Sequence, residues 1–140
     1  MAIEKDRLET KKWLPEVILA LKTGGGTGTL SQIYRRIQGK RRNLPDEWKA
    51  VIRAIIYAHS SDAKAYKQGN PDVFCNKDRG VWALRYPSEV VFGKTDYDLS
   101  VQVLASMTVE ELKSFSSTGD AFWRHVNDRV AQLKQKYRIS

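Results

Sequence analysis

Cysteine, histidine and long apolar runs are all scarce in this chain of 140 residues. Cys75 alone cannot form an internal disulfide, and one thiol with two imidazoles cannot supply the usual ligand sets of zinc or iron. No segment approaches the roughly 18 consecutive apolar residues of a membrane span, and residues 1–12 alternate charges where a signal peptide places an apolar block. We therefore expect a cytoplasmic protein with no metal, no cofactor and no membrane contact.

Acidic residues are outnumbered by basic ones, but only in one part of the chain. The formal net charge is +8, and residues 1–86 hold 17 Lys and Arg against 9 Asp and Glu, whereas the two signs balance in residues 87–140. The cations are densest in residues 35–53. Such density is typical of a surface that displaces counterions from a phosphate backbone, although a charge run alone is equally typical of a solvated basic face.

The first strong helix signal lies near the N-terminus. Proline suits a first helical turn, so Leu14, Pro15 and Glu16 predict a helix start, and the glycines at 24–26 predict its end. A weaker, charged helix is predicted over residues 3–10. Because proline disrupts a helix interior, Pro15 predicts a break or a kink between the two helices.

Two further helices are predicted on either side of a basic turn. The second begins with Ser31 as its N-cap and ends near Gly39. Its outward-facing side chains are Arg35 and Arg36. The sequence Lys-Arg-Arg-Asn at 40–43 forms the turn, and the third helix spans residues 45–59.

The third helix has an unusual outer face. Lys49, Arg53 and Tyr57 recur every four residues, and the small residues Ala50 and Ala54 lie beside them. A helix can approach the floor of a DNA groove only where small residues lie between its long donors. The spacing therefore predicts a helix that reads bases.

A β-hairpin is predicted after the third helix. Residues 73–76 and 81–85 alternate apolar and polar side chains around a turn at 77–80 that carries two cations. Trp48 and Trp82 are expected in the core by their spacing, and a base-sensing pocket lined by Trp48 is the alternative.

Residues 87–140 are more weakly patterned. Residues 90–98 are expected to form an irregular or extended connection, and the capping box at 108–111 predicts a short helix through Phe115. The last helix, over residues 121–137, carries one apolar stripe. The stripe consists of Phe122, Val126, Val130, Leu133 and Tyr137. It is typical either of a helix packed on its own domain or of a homodimer contact.

The order helix, short strand, helix, basic turn, helix, hairpin is that of a winged helix-turn-helix. The fold class expected is therefore mainly α with a small β-hairpin (α+β). A winged helix-turn-helix DNA-binding domain is expected over residues 1–86, and a C-terminal connection and helical extension over residues 87–140.

Residues 17–85 resemble a winged-helix module found in bacterial restriction-type nucleases and modified-DNA sensors, often beside HNH or Mrr-like catalytic domains. The matching segments are residues 29–34, 44–48, 51–53, 59–62, 72–74 and 80–85. The resemblance implies recognition of duplex DNA and, as in some relatives, sensing of N6-methyladenine. It implies no catalysis, because the nuclease domain of those relatives is missing from this chain.

The expected partner is double-stranded DNA, and the expected location is the nucleoid. The residues expected to contact DNA are Ser31, Gln32, Arg35, Arg36, Lys40, Arg41, Arg42, Asn43, Lys49, Arg53, Tyr57, Ser60, Lys64, Lys77 and Arg79. Arg53 can pair with guanine O6 and N7, and Tyr57 can contact a thymine or methyladenine methyl group. Lys49 can serve either a base or a phosphate, and the remaining residues are expected to hold the phosphate backbone. A regulator, or a targeting subunit with a nuclease or other protein partner, is the expected biological role.

The adjacent residues His59, Ser60, Ser61 and Asp62 invite a catalytic interpretation. A triad converges from separate segments, whereas four consecutive residues that leave a helix point in different directions. The sequence therefore predicts a capped turn and no enzyme. The alternative function is a protein-interaction module whose basic face binds an acidic partner, since winged helices serve both roles.

Overall fold

The computed structural model describes residues 2–40, 43–68, 70–85, 95–114 and 120–138. These ranges contain six helices and one three-stranded sheet. The helices are α1 (Ala2–Thr23), α2 (Leu30–Lys40), α3 (Trp48–Ala58), α4 (Asp96–Ser106), α5 (Val109–Ser114) and α6 (Asp120–Lys136), and the strands are β1 (Thr27–Thr29), β2 (Phe74–Asp78) and β3 (Val81–Leu84). The mainly helical α+β class is confirmed.

Helix α1 is continuous through its proline. Pro15 lies inside the helix, so the predicted break is wrong. Proline removes one N–H and its ring crowds the preceding turn, but Trp13, Leu14 and Val17 are all buried around it. Burial of these side chains holds the two halves of α1 in one helix at the cost of one backbone hydrogen bond.

The N-cap of α2 is Thr29, not Ser31 as predicted. The Thr29 hydroxyl accepts from the Gln32 amide at 3.2 Å, and the Gln32 side-chain oxygen accepts from the Thr29 amide at 2.9 Å. This reciprocal pair is a capping box. The helix begins two residues earlier than a Ser31 cap would allow, and Ser31 is an exposed residue of its first turn.

Helix α3 begins at Trp48, three residues after the predicted start. The Trp48 amide bonds to the Pro45 carbonyl at 3.2 Å, which closes a turn over residues 45–48 before the helix proper. The inner face follows the prediction, since Trp48, Ile52, Ile55 and Ile56 are buried. The opposite face is therefore exposed from Lys49 to Ala54 and half-buried in the last turn.

The sheet is antiparallel, with strand order β1-β3-β2. Strand β1 pairs with β3 from Thr27 opposite Ala83, and β2 pairs with β3 from Phe74 opposite Leu84. The predicted hairpin is confirmed, but β2 extends to Asp78 after a bulge, so the turn is tighter than expected. Gly80 has a φ of 73°, a conformation that side chains rarely adopt and that makes this tight turn accessible.

Helix α4 was not predicted, and the expectation of an irregular connection is wrong at residues 95–98. Thr95 caps α4, with its hydroxyl accepting from the Asp98 amide and the Asp98 carboxylate accepting from the Thr95 amide. Residues 90–93 of the predicted connection lie outside the described residues. The helix is almost entirely interior, with Leu99, Val103 and Leu104 among its buried side chains.

The predicted capping box at Thr108 and Glu111 is present at the start of α5. Phe115, the expected end of that helix, lies outside the described residues. On α6 the four stripe residues from Phe122 to Leu133 are buried in the core of this same chain, mainly against α4, while Tyr137 is 43% exposed. These four residues of the stripe thus pack on their own chain, and the homodimer contact stays a prediction.

One hydrophobic core joins the two parts of the chain. Helix α1 packs against α2 and α3 and also against α4 and α5. The Lys22 ammonium donates to the Met107 carbonyl, which ties α1 to the end of α4. The proposed boundary at residues 86 and 87 lies outside the described residues. None of the helices in the described part of the chain is long and apolar enough to cross a membrane.

Gln102 generates a prediction about stability. Its side chain is 1% exposed inside α4, and both its amide nitrogen and its oxygen lack a hydrogen-bond partner among the described residues. A buried polar group without a partner costs about 1–3 kcal/mol. We expect Gln102→Met, which keeps the length and helix propensity of the side chain, to raise the free energy of unfolding by about 1 kcal/mol in urea titrations.

The exposed Gln132 on α6 provides the matched control. Gln132→Met should leave the free energy of unfolding unchanged within about 0.5 kcal/mol. A Gln102→Met chain that is less stable than the parent would contradict the assignment of an unsatisfied amide.

Candidate nucleic-acid interface

The outer face of α3 has the composition that the sequence predicted. Lys49 and Arg53 are exposed, and Ala50 and Ala54 are exposed beside them. Because the inner face is packed in the core, the helix can present these residues without exposing its apolar side chains. The helix itself contains no acidic residue, so nothing on α3 offsets the two cations.

Lys49 is held against aromatic rings. Its ammonium lies 5.7 Å from the centroid of the Tyr34 ring and 5.7 Å from that of Trp48. These two rings meet edge to face, with centroids 5.7 Å apart and planes at 79°. Cation–π attraction thus restricts the Lys49 side chain to the crevice between α2 and α3. Burial confirms Trp48 as a core residue.

The same crevice brings Arg53 close to Tyr34. Burial raises the pKa of the Tyr34 phenol, and the nearby Arg53 guanidinium opposes this shift. Tyr34 therefore stays a neutral ring at the base of the α3 face, with one cation on each side of it.

Tyr57, at the end of the α3 face, is half-buried. Its ring packs on Trp82 of β3, with centroids 5.6 Å apart and planes at 42°. This contact connects the outer face of α3 to the hairpin. Any contact with a base would use the part of the Tyr57 ring that remains accessible.

The hairpin places two cations in solvent. Lys77 lies near the end of β2 and Arg79 in the turn, and both are exposed. The Arg79 amide donates to the Asp78 carboxylate at 2.7 Å, which orders the turn locally. The predicted basic hairpin tip is present in this geometry.

The other predicted contact residues are distributed around α2 and the loops. Those that are exposed are Ser31, Gln32, Arg35, Lys40, Asn43 and Lys64. Gln32 is committed to the capping box, and Lys40 pairs with the buried Glu16 carboxylate at 3.6 Å. Arg41 and Arg42 lie outside the described residues.

Arg36 does not point freely outward, so its predicted orientation is wrong, and its contact with DNA stays a prediction. Its guanidinium donates to the Ala20 carbonyl at 2.7 Å, in the last turn of α1. The carbonyls of a last helical turn lack intrahelical partners and carry partial negative charge, which favours a cation there. The adjacent Gly24 leaves the space for it, since a Cβ there would lie 2.1 Å from Arg36 Nη1.

Ser60 is fully buried, so a phosphate contact through its hydroxyl is also wrong. The hydroxyl accepts from the Asp62 amide at 3.3 Å and thereby satisfies the backbone after α3. This is the capped turn that the sequence predicted for residues 59–62.

The turn after α3 is joined to the hairpin by an ion-pair cluster, which we define as Ser61, Asp62, Asp72, Arg85 and the Asn76 amide. The Asp72 carboxylate accepts from the Ser61 amide at 2.9 Å and from its hydroxyl at 2.5 Å. Arg85 lies 2.9 Å from the Asp62 carboxylate and 3.1 Å from that of Asp72.

Asp62 also accepts from the Asn76 amide at 2.8 Å. This hydrogen bond first, and the Arg85 charge after it, hold the pKa of the Asp62 carboxyl below its ordinary value. Sequence reasoning missed the cluster, although Asp62, Asp72 and Arg85 all fall in the segments that carry the family resemblance. Within the described ranges, no three side chains of His, Cys, Asp or Glu come together as a metal site.

Comparison with known proteins adds no relative. No protein-family model, no curated protein and no solved structure is significantly similar to this chain.

His59 connects the end of α3 to α4. Its Nδ1 lies 2.8 Å from the Ile55 carbonyl oxygen, which can only accept, so Nδ1 carries the proton. Nε2 then accepts from the Tyr97 hydroxyl at 2.6 Å. The ring is 1% exposed, and burial lowers the pKa of His59 below its ordinary value of 6.5.

This neutral histidine predicts a pH-dependent stability. Between the lowered pKa of the folded state and 6.5, the unfolded chain binds more protons, so the free energy of unfolding falls as pH falls through that window. The slope for one proton cannot exceed about 1.4 kcal/mol per pH unit. We expect urea titrations to find the parent less stable at about pH 5.5 than at about pH 7.5, and His59→Asn to reduce this difference.

His125, which is 35% exposed, gives the control, since the chain has only two histidines. The variant His125→Asn measures what the second imidazole, which lies 3.7 Å from the Glu111 carboxylate, contributes to the pH dependence. If His59→Asn retained the pH dependence of the parent, the neutral imidazole would not be its source.

Proposed function

We propose that this chain binds duplex DNA as a winged helix, with α3 as the recognition helix and the β2–β3 hairpin as the wing. The observation that carries the proposal is the exposed α3 face, where Lys49 and Arg53 stand beside Ala50 and Ala54 on a helix without acids. The small residues allow the helix backbone to come close to the base edges in a major groove. The two cations then reach the groove floor or its phosphates.

Arg53 is the residue best suited to read a base. An arginine on a groove-facing helix can donate two hydrogen bonds to O6 and N7 of a guanine. Lys49, held over the Tyr34 and Trp48 rings, acts as a point charge in a fixed place and suits a phosphate near the entry of the helix into the groove. On the α3 face, Arg53 would thus read a base and Lys49 would position the helix on the phosphate backbone.

Lys77 and Arg79 on the wing would contact the backbone beside the site that α3 reads. The ion-pair cluster supports this arrangement because it fixes the base of the wing to the end of α3. Two separated points of attachment set the register of the protein on the duplex.

The accessible part of the Tyr57 ring suits an apolar contact with a thymine or N6-methyladenine methyl group, as the family resemblance implies. In that role the chain would act as a regulator or as the targeting component of a restriction-type system. Discrimination between methylated and unmethylated duplex is therefore one arm of the test below.

The function predicts different effects for a base-reading and a phosphate-binding residue. We expect Arg53→Ala to reduce discrimination between preferred and random duplex by about 1–3 kcal/mol. We expect Lys77→Ala to weaken binding to all sequences alike and to reduce the slope of log affinity against log salt by about one. Fluorescence anisotropy with random, selected and N6-methyladenine duplexes at about 50 and about 200 mM salt measures both effects.

Arg124→Ala is the matched control, since Arg124 is an exposed arginine on α6. It should change neither the preference nor the salt slope by more than the measurement error. The DNA proposal would be contradicted if the parent bound no duplex at low salt and instead bound an acidic protein partner. That result would favour the alternative function, a protein-interaction module.

A further inference from the structure

A groove between α1, α2 and α5 is left unfilled by the core. Its volume is about 370 Å³, and it is lined by α1 residues on one side, α2 residues on the other and Lys113 of α5. Leu19, Ala20 and Ile37 give it apolar walls. Pockets that bind small molecules have volumes of about 300–1,000 Å³ and are predominantly apolar with a few placed polar groups.

The polar lining of the groove has an excess of positive charge. Arg36, Lys40 and Lys113 stand against one carboxylate, that of Glu16. Glu16 is buried and lies 3.6 Å from Lys40, so it offsets one of the three cations. Arg36 donates to a neutral carbonyl, and Lys113 is exposed, so neither charge is paired with the one carboxylate of the described lining.

A glycine keeps the groove open. Gly39 lines it from the last turn of α2, and a Cβ added there would meet nothing within 4 Å. Its φ is not in the left-handed region, so neither the backbone nor the packing requires glycine at this position. Glycine weakens a helix relative to other residues. The missing side chain therefore has a cost in helix stability and leaves room in the groove.

From the size, the walls and the charge of the groove, we propose that it binds a small amphipathic organic anion, an apolar body that carries one carboxylate or sulfonate. The apolar body would lie against Leu19 and Ile37, and the anionic group would contact Lys113 and Arg36. A nucleic-acid backbone or an acidic peptide lacks the continuous apolar body that these walls match. The site uses none of the α3 face, and it shares Arg36 and Lys40 with the residues that the sequence predicted to contact DNA.

The test uses anilinonaphthalene sulfonate, a fluorescent probe of this chemical class, with the full chain. We expect saturable binding with one site and competition by decanoate that is at least about tenfold stronger than competition by the neutral analogue decanol, since a charge-assisted contact exceeds a neutral one. Gly39→Leu, which fills the groove, should weaken probe binding at least about tenfold. Lys113→Gln should weaken it several-fold and reduce its sensitivity to salt.

A control makes the outcome specific. Lys64→Gln removes an exposed lysine outside the groove lining, so it should bind the probe as the parent does. Equal probe binding by Gly39→Leu and the parent, equal competition by decanol and decanoate, or displacement of the probe by duplex DNA would each overturn the proposal. If Gly39→Leu failed to fold, Lys113→Gln and the decanol comparison would still decide.

Discussion

The position of the hairpin relative to α3 depends on Arg85. Its guanidinium reaches Asp62, in the turn after the helix, and Asp72, at the start of the hairpin, and it also donates to the Phe74 carbonyl at 3.2 Å. Exposed ion pairs contribute little to stability when they stand alone. This cluster is different because each carboxylate also accepts from a backbone amide, so that the charges fix the path of the chain. Its contribution is geometric. The cluster sets the distance between the exposed face of α3 and the basic tip of the hairpin.

The second constraint is the attachment of the C-terminal helices to the first part of the chain. His59 is the residue that ends α3, shortly before the ion-pair cluster in the chain. Its ring is hydrogen-bonded to the Tyr97 hydroxyl on α4. Helix α1 contacts elements of both parts, and the buried side chains form one continuous core. The C-terminal helices are therefore attached to the first part of the chain through α1 and through the contact of Tyr97 with the residue that follows α3.

The sequence allowed the helix order, the hairpin and the two faces of α3 to be predicted, because strong periodicity and turn residues decide these features locally. Helix α4 escaped prediction because it is buried on most sides, which removes the alternation of apolar and polar residues on which such predictions rest. Its capping box at Thr95 and Asp98 was the available signal. The break predicted at Pro15 was wrong because burial of the neighbouring side chains outweighs the loss of one hydrogen bond.

The candidate site was predicted less well at residues whose side chains are used inside the fold. An outward position on a helical wheel does not reveal that Arg36 finds a carbonyl of α1, sixteen residues earlier in the chain. Likewise, the hydroxyl of a serine that follows a helix can bond either to solvent or to the backbone, and that of Ser60 accepts from a backbone amide. Lys49 and Arg53 were identified correctly as exposed, although both also lie close to the Tyr34 ring.

The contact of Arg36 with the end of α1 also links two positions of the sequence. A side chain at position 24 would lie within 2.1 Å of the Arg36 guanidinium, so the guanidinium would have to move. If an alanine replaced Gly24, the bond from Arg36 to the Ala20 carbonyl would be disturbed, and the position of this cation on α2 would change. Among descendants of this sequence, the two positions should therefore change together, and the surface charge of α2 should change with them.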